Sequence, residues 1–207
     1  MISCSLLLKR PFIWMTRFRR RCGYGVHSPF AFNLITNVIY EHRPYYAYDK
    51  LQQLSAESGL KSRLGWRERK VNRLLFRLVN WAQPHVVLRI GEASLSDLYL
   101  QEPIKSMAYC SGEALKDCKL DEQSLIDFLY INNLDAEEVE RTFEEGAERV
   151  HPDSLFVVRG IHYSSDLRAC WNRMKEDERV GITFDLYDVG LLFFNRKRIK
   201  QHYVVNF

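Results

Sequence analysis

The sequence predicts an α/β domain with a mainly parallel sheet, preceded by a layer of helices. Before Pro84 the apolar residues recur at helical spacing, whereas after it short, almost continuously apolar segments alternate with helical patterns. The charge changes at the same place. Residues 1–80 hold 15 Lys and Arg against four acids, a net charge of +11, and residues 81–207 carry −7. We therefore divide the chain into a helical region, 1–83, and a small α/β domain, 84–207, on which the helical region packs.

Three helices are predicted in the first region. Ser28 followed by Pro29 is typical of a helix start, because a hydroxyl caps the first turn and proline lacks an N–H that would be unpaired there. This helix is expected to run to about Tyr40. Asp49 is expected to cap a second helix that ends near Gly59, and apolar residues at i, i+3, i+4 and i+7 predict a third at 66–82.

The second region alternates strands and helices. Asp135 followed by Glu138 has the spacing of a capping box and predicts a helix start. The predicted strands are 85–91, 106–110, 125–131 and 154–158, the predicted helices are 135–149 and 165–175, and a closing hairpin, 180–186 and 190–195, precedes an extended segment at 202–207. This alternation indicates an α/β fold.

Composition excludes several classes of protein. A hydrophobic fraction of 46% and a charged fraction of 27% exclude wholesale disorder, and no apolar run approaches the roughly 20 residues that span a bilayer. The five cysteines are odd in number and scattered, without a Cys-x-x-Cys pair, which argues against a disulfide framework or a zinc site. The apolar stretch at the N-terminus is too short for a signal sequence. We expect a cytoplasmic protein.

Residues 9–21 form a basic arm. Six Lys and Arg and no acid occur in the first 25 residues, and aromatic side chains are interleaved among them. Such an arm suits an anionic membrane surface or nucleic acid. Short basic patches are also common on cytosolic proteins, so a solvated helix whose aromatics pack on the domain is favoured.

Several segments together resemble a known family. They are Gly25-Val26-His27-Ser28-Pro29-Phe30, Pro44-Tyr45-Tyr46-Ala47-Tyr48, Leu75-Phe76-Arg77-Leu78-Val79-Asn80, Ile161-His162-Tyr163-Ser164, Phe184-Asp185-Leu186 and Gly190-Leu191-Leu192-Phe193-Phe194. From about residue 23 to the end, the chain resembles a bacterial family of class I S-adenosylmethionine-dependent methyltransferases. The resemblance implies a Rossmann-like fold and, in an intact member, an S-adenosylmethionine cofactor.

The positions that this resemblance assigns to the cofactor depart from the family pattern. The turn after the first strand keeps Gly91, but Glu92 and Ala93 follow it, and the later glycine of the family is replaced. Ser111 stands at the position of the acid that binds the ribose hydroxyls, and Glu113, two residues later, is the candidate substitute.

The chain is also short at this point. Between the second strand and the strand near Leu125 the family inserts a helix, a strand and a helix, whereas only twelve residues, 113–124, are present. We therefore expect that one βα unit has been lost, together with its contacts to the adenine. Asn132 stands where the family has an acid, and Arg159 and Gly160 replace two more. No metal is expected, since a guanidinium cannot ligate one.

Two histidines are candidate acid–base groups. His162 lies in one of the family motifs and His27 in another, although each also suits a structural role. Asp185 and Asp188 flank the closing hairpin and are interpreted as turn formers.

Three hypotheses follow from the sequence. The favoured one is a degenerate methyltransferase-like protein with no cofactor that acts in binding or scaffolding, with an active relative or a second copy as its partner. The second is an active methyltransferase with an altered pocket that uses Gly91, Glu92 and Glu113. The third is that the basic arm binds membrane or nucleic acid.

Overall fold

A computed structural model describes residues 12, 15–18, 23, 25–57, 66–118 and 124–207. The helices are α1 Pro29–Leu34, which continues as a π-helical turn at Ile35–Ile39, α2 Ala47–Glu57, α3 Trp66–Ala82, α4 Ser96–Gln101, α5 Ala136–Ala147 and α6 Ser165–Glu176. The strands are β1 Val86–Gly91, β2 Ala108–Gly112, β3 Ile126–Asn132, β4 Val150–Arg159, β5 Ile182–Asp185, β6 Val189–Phe193 and β7 Gln201–Val204. No helix of this described part is long and apolar enough to cross a membrane.

The strands form a seven-stranded sheet in the order β2-β1-β3-β4-β6-β5-β7. Strands β1 to β4 are parallel, and β6 runs antiparallel to both β4 and β5. The mainly parallel sheet and its closing hairpin confirm the predicted fold class. The extended segment predicted at the C-terminus contains β7, which pairs with β5 in parallel.

Strand β2 is an edge strand of this sheet. Between β2 and β3, the described residues hold a single short 3₁₀ turn, Leu115–Asp117, and residues 119–123 lie outside the description. This arrangement agrees with the expected loss of a βα unit after β2. The sheet reaches seven strands because β7 extends the opposite edge.

Helices cover both faces of the sheet. On one face, Leu34 of α1 and Leu75 of α3 share a buried cluster with Phe128 and Leu155 of the sheet. On the other face, helices α5 and α6 bury apolar side chains against β3, β4 and β6 in a second cluster, among them Phe143 of α5. The helices before residue 83 are therefore part of the hydrophobic core, since burial of apolar surface is the main favourable term in folding.

The starts of the helices test the capping predictions. Ser28 Oγ accepts a hydrogen bond from the Ala31 amide at 3.4 Å, with Pro29 in the first turn, which confirms that start. Asp135 Oδ1 accepts from two amides of the first turn of α5, as predicted. The cap predicted at Asp49 is wrong, because α2 begins at Ala47 and Asp49 lies inside its first turn.

Candidate functional site

The carboxyl ends of the strands form one continuous edge. Gly91 of β1 lies in register with Asn132 of β3, and Arg159 of β4 lies in register with Val189 of β6. Asp185 of β5 lies at the same edge, since β5 is antiparallel to β6 and therefore points the same way as β4. Ligands of open α/β sheets bind beyond this edge, which makes it the candidate site.

Arg89 of β1 ties the ends of β1 and β2 together. Its side chain is buried, and Nε donates to Asp97 Oδ1 at 2.9 Å. Nη1 donates to the Gly112 carbonyl at 3.3 Å and to the Gly91 carbonyl. Tyr109 Oη donates to the same carboxylate oxygen of Asp97 at 2.6 Å. Burial and then Asp97 raise the pKa of Tyr109, so its phenol stays protonated and donates.

Asn132 holds the loop after β1. Its side chain is buried, and Nδ2 donates to the Glu92 carbonyl at 2.5 Å and to Ser94 Oγ at 3.2 Å. Oδ1 accepts from Arg159 Nη1 at 2.8 Å and from Tyr130 Oη at 3.3 Å. Both donors and the acceptor oxygen are thus engaged within the protein.

A positively charged side chain, that of Arg159, also lies at the end of β4. Arg159 Nη2 lies 3.4 Å from Glu68 Oε1, so this guanidinium joins the start of α3 to the sheet edge as well as contacting Asn132. Among the described residues, no group of three or more His, Cys, Asp or Glu side chains could hold a metal ion.

The glycine at the end of β1 is required by the backbone packing. Gly91 has φ of +110°, and a Cβ there would lie 2.4 Å from the backbone oxygen of Asn132. Only glycine fits this close approach of β1 to β3, whether or not a ligand binds. The presence of Gly91 is therefore not by itself a sign of a cofactor site.

A polar cleft of about 780 Å³ opens beyond the ends of β1 and β2. Of the residues predicted to bind the cofactor, Gly91, Glu92, Ala93 and Glu113 line it. The other lining residues are Arg89, Gly112, Ala114, Lys116, Asp117, Asn133, Glu138 and Arg141. The cleft lies beside the point where the strand order reverses about β1, and its volume falls in the usual range for small-molecule sites.

Two residues predicted to bind the cofactor lie outside this lining. Ser111 is exposed on β2, and Asn132 is buried below the loop that it holds. The internal hydrogen bonds of Asn132 hold its side chain within the protein, whereas Ser111 pairs in register with Arg89 of the lining.

A second cluster lies at the end of β5. His162 Nε2 is 2.7 Å from Asp185 Oδ2, and Arg17 Nη1 is 2.9 Å from Asp185 Oδ1. Asp185 Oδ1 also accepts from the Tyr187 amide at 2.9 Å, which confirms its role in the turn. The Tyr187 ring stacks on His162 at 5.1 Å and lies 5.3 Å from the Arg17 guanidinium carbon. His162 is thus part of an ion-paired cluster and is not isolated.

The carboxylate of Asp185 is ionised at neutral pH. Burial favours the neutral form of Asp185, but hydrogen bonds from His162 and then Arg17 hold the pKa of Asp185 at about 2. Tyr187 has φ of +72°, a region that non-glycine residues rarely adopt and that is frequent at functional sites. No described residue hydrogen-bonds His162 Nδ1, so an imidazole held through Nε2 presents this nitrogen as a proton acceptor.

The other predicted histidine lies apart from any such network. His27 is exposed just before the Ser28 cap, and its side chain has no hydrogen bond to the described residues. Of the six cations in the basic arm, Arg17 is described, and it contacts Asp185 inside the protein. The other five lie outside the described residues.

The sequence reasoning missed the roles of three residues. Arg89 could have been noticed as a charge inside an otherwise apolar strand. Asp185 was interpreted only as a turn former, although it lies in a family motif. Nothing in the sequence connects Arg17 with Asp185, which is 168 residues away.

Comparison with known proteins supports the fold assignment. No family model matches the sequence, and no curated protein matches it. Among solved structures, a methyltransferase of Podospora anserina bound to S-adenosylhomocysteine matches with a TM-score of 0.56 and 9% identity, covering 81% of this chain and 96% of that one. A candidate O-methyltransferase of Klebsiella pneumoniae matches with a TM-score of 0.54 and 13% identity, covering 77% and 94%.

A third match adds an S-adenosylmethionine complex. The O-methyltransferase TomG of Streptomyces achromogenes, involved in tomaymycin synthesis, matches with a TM-score of 0.50 and 15% identity, covering 73% of this chain and 91% of that one. The chain therefore has the Rossmann-like fold of class I methyltransferases. A fold does not specify a reaction, which must be argued from the site.

Proposed function

We propose that this chain is a methyltransferase-fold protein that acts by binding or scaffolding and does not transfer methyl groups. The observation that carries this proposal is the hydrogen-bond network of Arg89, Asn132 and Arg159 along the carboxyl edge. These side chains bond to one another's strands and loops, where a cofactor-binding protein would keep polar groups available for its ligand.

The segment between β2 and β3 supports the same proposal. The described residues there hold a single short 3₁₀ turn, Leu115–Asp117, where the family has a helix, a strand and a helix. The loss of the βα unit after β2 would leave the adenine side of the cleft open.

The proposal includes the partner and the compartment. A second copy of this chain or an active methyltransferase relative is the proposed partner, in the cytoplasm of a bacterium. The scattered cysteines suit a reducing compartment, and Cys110, Cys118 and Cys170 are free thiols among the described residues.

Isothermal titration with S-adenosylmethionine tests this proposal. We expect no binding heat at millimolar cofactor. A dissociation constant below about 100 µM, a binding free energy stronger than roughly 5 kcal/mol, would overturn it. Co-purification or sedimentation of the intact chain then identifies a partner or a second copy.

A second candidate function is an active methyltransferase with an altered pocket. It is favoured by two observations, the cleft lined by Gly91, Glu92 and Glu113 and the His162–Asp185 pair at the same edge of the sheet. In this reading Glu113 takes the place of the ribose-binding acid and His162 removes a proton from the acceptor.

The same titration distinguishes the two functions. If cofactor binds, Glu113→Gln should weaken it at least about fivefold by loss of charged hydrogen bonds, whereas Glu137→Gln, an exposed change outside the cleft, should leave it unchanged. Equal effects of the two variants would contradict the role of Glu113 even in an active enzyme.

A further inference from the structure

A second cleft lies beside the amino ends of the parallel strands, opposite to the carboxyl ends that form the candidate site. Its volume is about 260 Å³. Ile182 begins β5 and Phe193 ends β6, and these two residues pair in register at the base of the cleft. The cleft is separated from the candidate site by the length of the strands.

Three aromatic side chains form its walls. The rings of Phe30 and Phe193 lie 5.1 Å apart edge to face, and Trp81 lies 6.0 Å from Phe30 and 6.1 Å from Phe193. Trp81 remains 38% exposed, so part of this apolar wall faces solvent. A pocket of this kind suits an aliphatic chain or an aromatic ring.

A guanidinium stands at the mouth of this cleft. Arg198 lines it, with its guanidinium carbon 3.8 Å from the centre of the Phe30 ring. No described residue accepts a hydrogen bond from the Arg198 side chain, and no described carboxylate forms an ion pair with it. Stacking on the ring orients the guanidinium while its N–H donors stay available, as in planar recognition of carboxylates.

Most charged residues near Arg198 are also positively charged. Arg198 belongs to the exposed loop 195–200, in which Arg196, Lys197 and Lys200 are also cationic. Asp153 is an acid in the lining, and it does not pair with Arg198. The loop therefore brings more cations than acids to the mouth of an apolar cleft.

We propose that the Phe30–Trp81–Phe193 cleft binds a small organic anion, with the apolar body between the aromatic walls and a carboxylate on the Arg198 guanidinium. The apolar walls determine the body of the ligand, and the free donors determine its charge. This proposal does not depend on the function proposed for the site at the carboxyl ends of the strands.

Octanoate, kept below its micelle concentration, is the probe for this proposal, and octylammonium is its matched cation. Binding is followed by calorimetry and by the NMR signal of the Trp81 indole N–H in the full chain. We expect octanoate to bind and to shift the Trp81 signal, and octylammonium to bind at least tenfold more weakly. Equal binding of the two probes, or octanoate binding without a shift at Trp81, would overturn the proposal.

A pair of variants separates the cleft from the general charge of the loop. Arg198→Gln should weaken octanoate about tenfold, whereas Arg196→Gln removes the same charge from the same loop outside the lining and should change affinity less than twofold. Similar losses in both variants would refute the role of Arg198. Sedimentation with anionic phospholipid vesicles, in the absence of octanoate binding, would also overturn the proposal by making the loop a membrane contact.

Discussion

Removal of the carboxylate of Asp185 should destabilise the protein in a pH-dependent way. Its pKa falls from the ordinary 3.8 to about 2 because hydrogen bonds from His162 and Arg17 outweigh the cost of burial. This difference corresponds to about 2 kcal/mol of stability. A carboxyl group with a depressed pKa gives its full stabilisation of the folded protein at pH values well above 3.8. This stabilisation is lost as the pH falls through 2.

The variant Asp185→Asn lacks this titration. At pH 6 we expect it to be at least about 2 kcal/mol less stable than the parent, because Arg17 is mostly buried and loses its counter-charge. Between pH 6 and pH 3 the parent should lose about 1 kcal/mol through this group, so the gap between the two proteins should narrow by that amount.

Urea denaturation at a series of pH values measures this gap. Asp153→Asn is the matched control, since Asp153 is exposed and forms no ion pair with the described residues. A gap between parent and Asp185→Asn that is constant from pH 6 to pH 3 would refute the reasoning. The reasoning would also be refuted if the stability gap between the parent and Asp153→Asn narrowed by the same amount, since the narrowing would then reflect general acid destabilisation.

Two further predictions concern the end of β1. Gly91→Ala should cost more than about 3 kcal/mol, because its Cβ would meet the Asn132 backbone. Gly25→Ala, at φ of +75° with open space around the new Cβ, should cost about 1 kcal/mol. Equal costs by urea denaturation would contradict the close-approach argument. Arg89→Met should cost about 3 kcal/mol, because it leaves two strand carbonyls without their donor and Asp97 without its counter-charge. Arg173→Met, at an exposed ion pair, is the control and should leave the melting temperature nearly unchanged. Similar losses of melting temperature in the two variants would contradict this role of Arg89.

Elements that depend on local pattern were predictable from the sequence. The helix predicted at 66–82 is α3, with the same bounds, because the apolar spacing that predicts it lies within the segment itself. Strand β2 was predicted two residues too early. Its start is determined by pairing, since the Ala108 amide donates to the His85 carbonyl at 2.9 Å, and a single segment does not contain this information.

Long-range contacts account for most of what the sequence did not predict. Arg77 lies in the helix predicted at 66–82, and nothing in the apolar spacing of this helix indicates that its side chain is buried. Its Nε donates to the Val38 carbonyl at 2.6 Å and its Nη2 to the Ile39 carbonyl at 3.2 Å. It satisfies the carbonyls at the end of the π-helical turn. The cleft residues were predicted by position after a strand, whereas the bonds that withdraw Asn132 from the cleft depend on β1 and β4 together.

The uneven charge of the chain now has a structural interpretation. Among the described residues, Arg17 pairs with Asp185 and Lys50 with Glu102, each at 2.9 Å, and both pairs join a cation of residues 1–80 to an acid of residues 81–207. Part of the asymmetry therefore holds the helical region against the sheet, although the exposed pair with Lys50 contributes little. Loop 195–200 is the local exception, because four cations stand exposed within the acidic half. An external anion would meet less competition from internal carboxylates there than at Arg17, and this is why we expect anion binding at the loop.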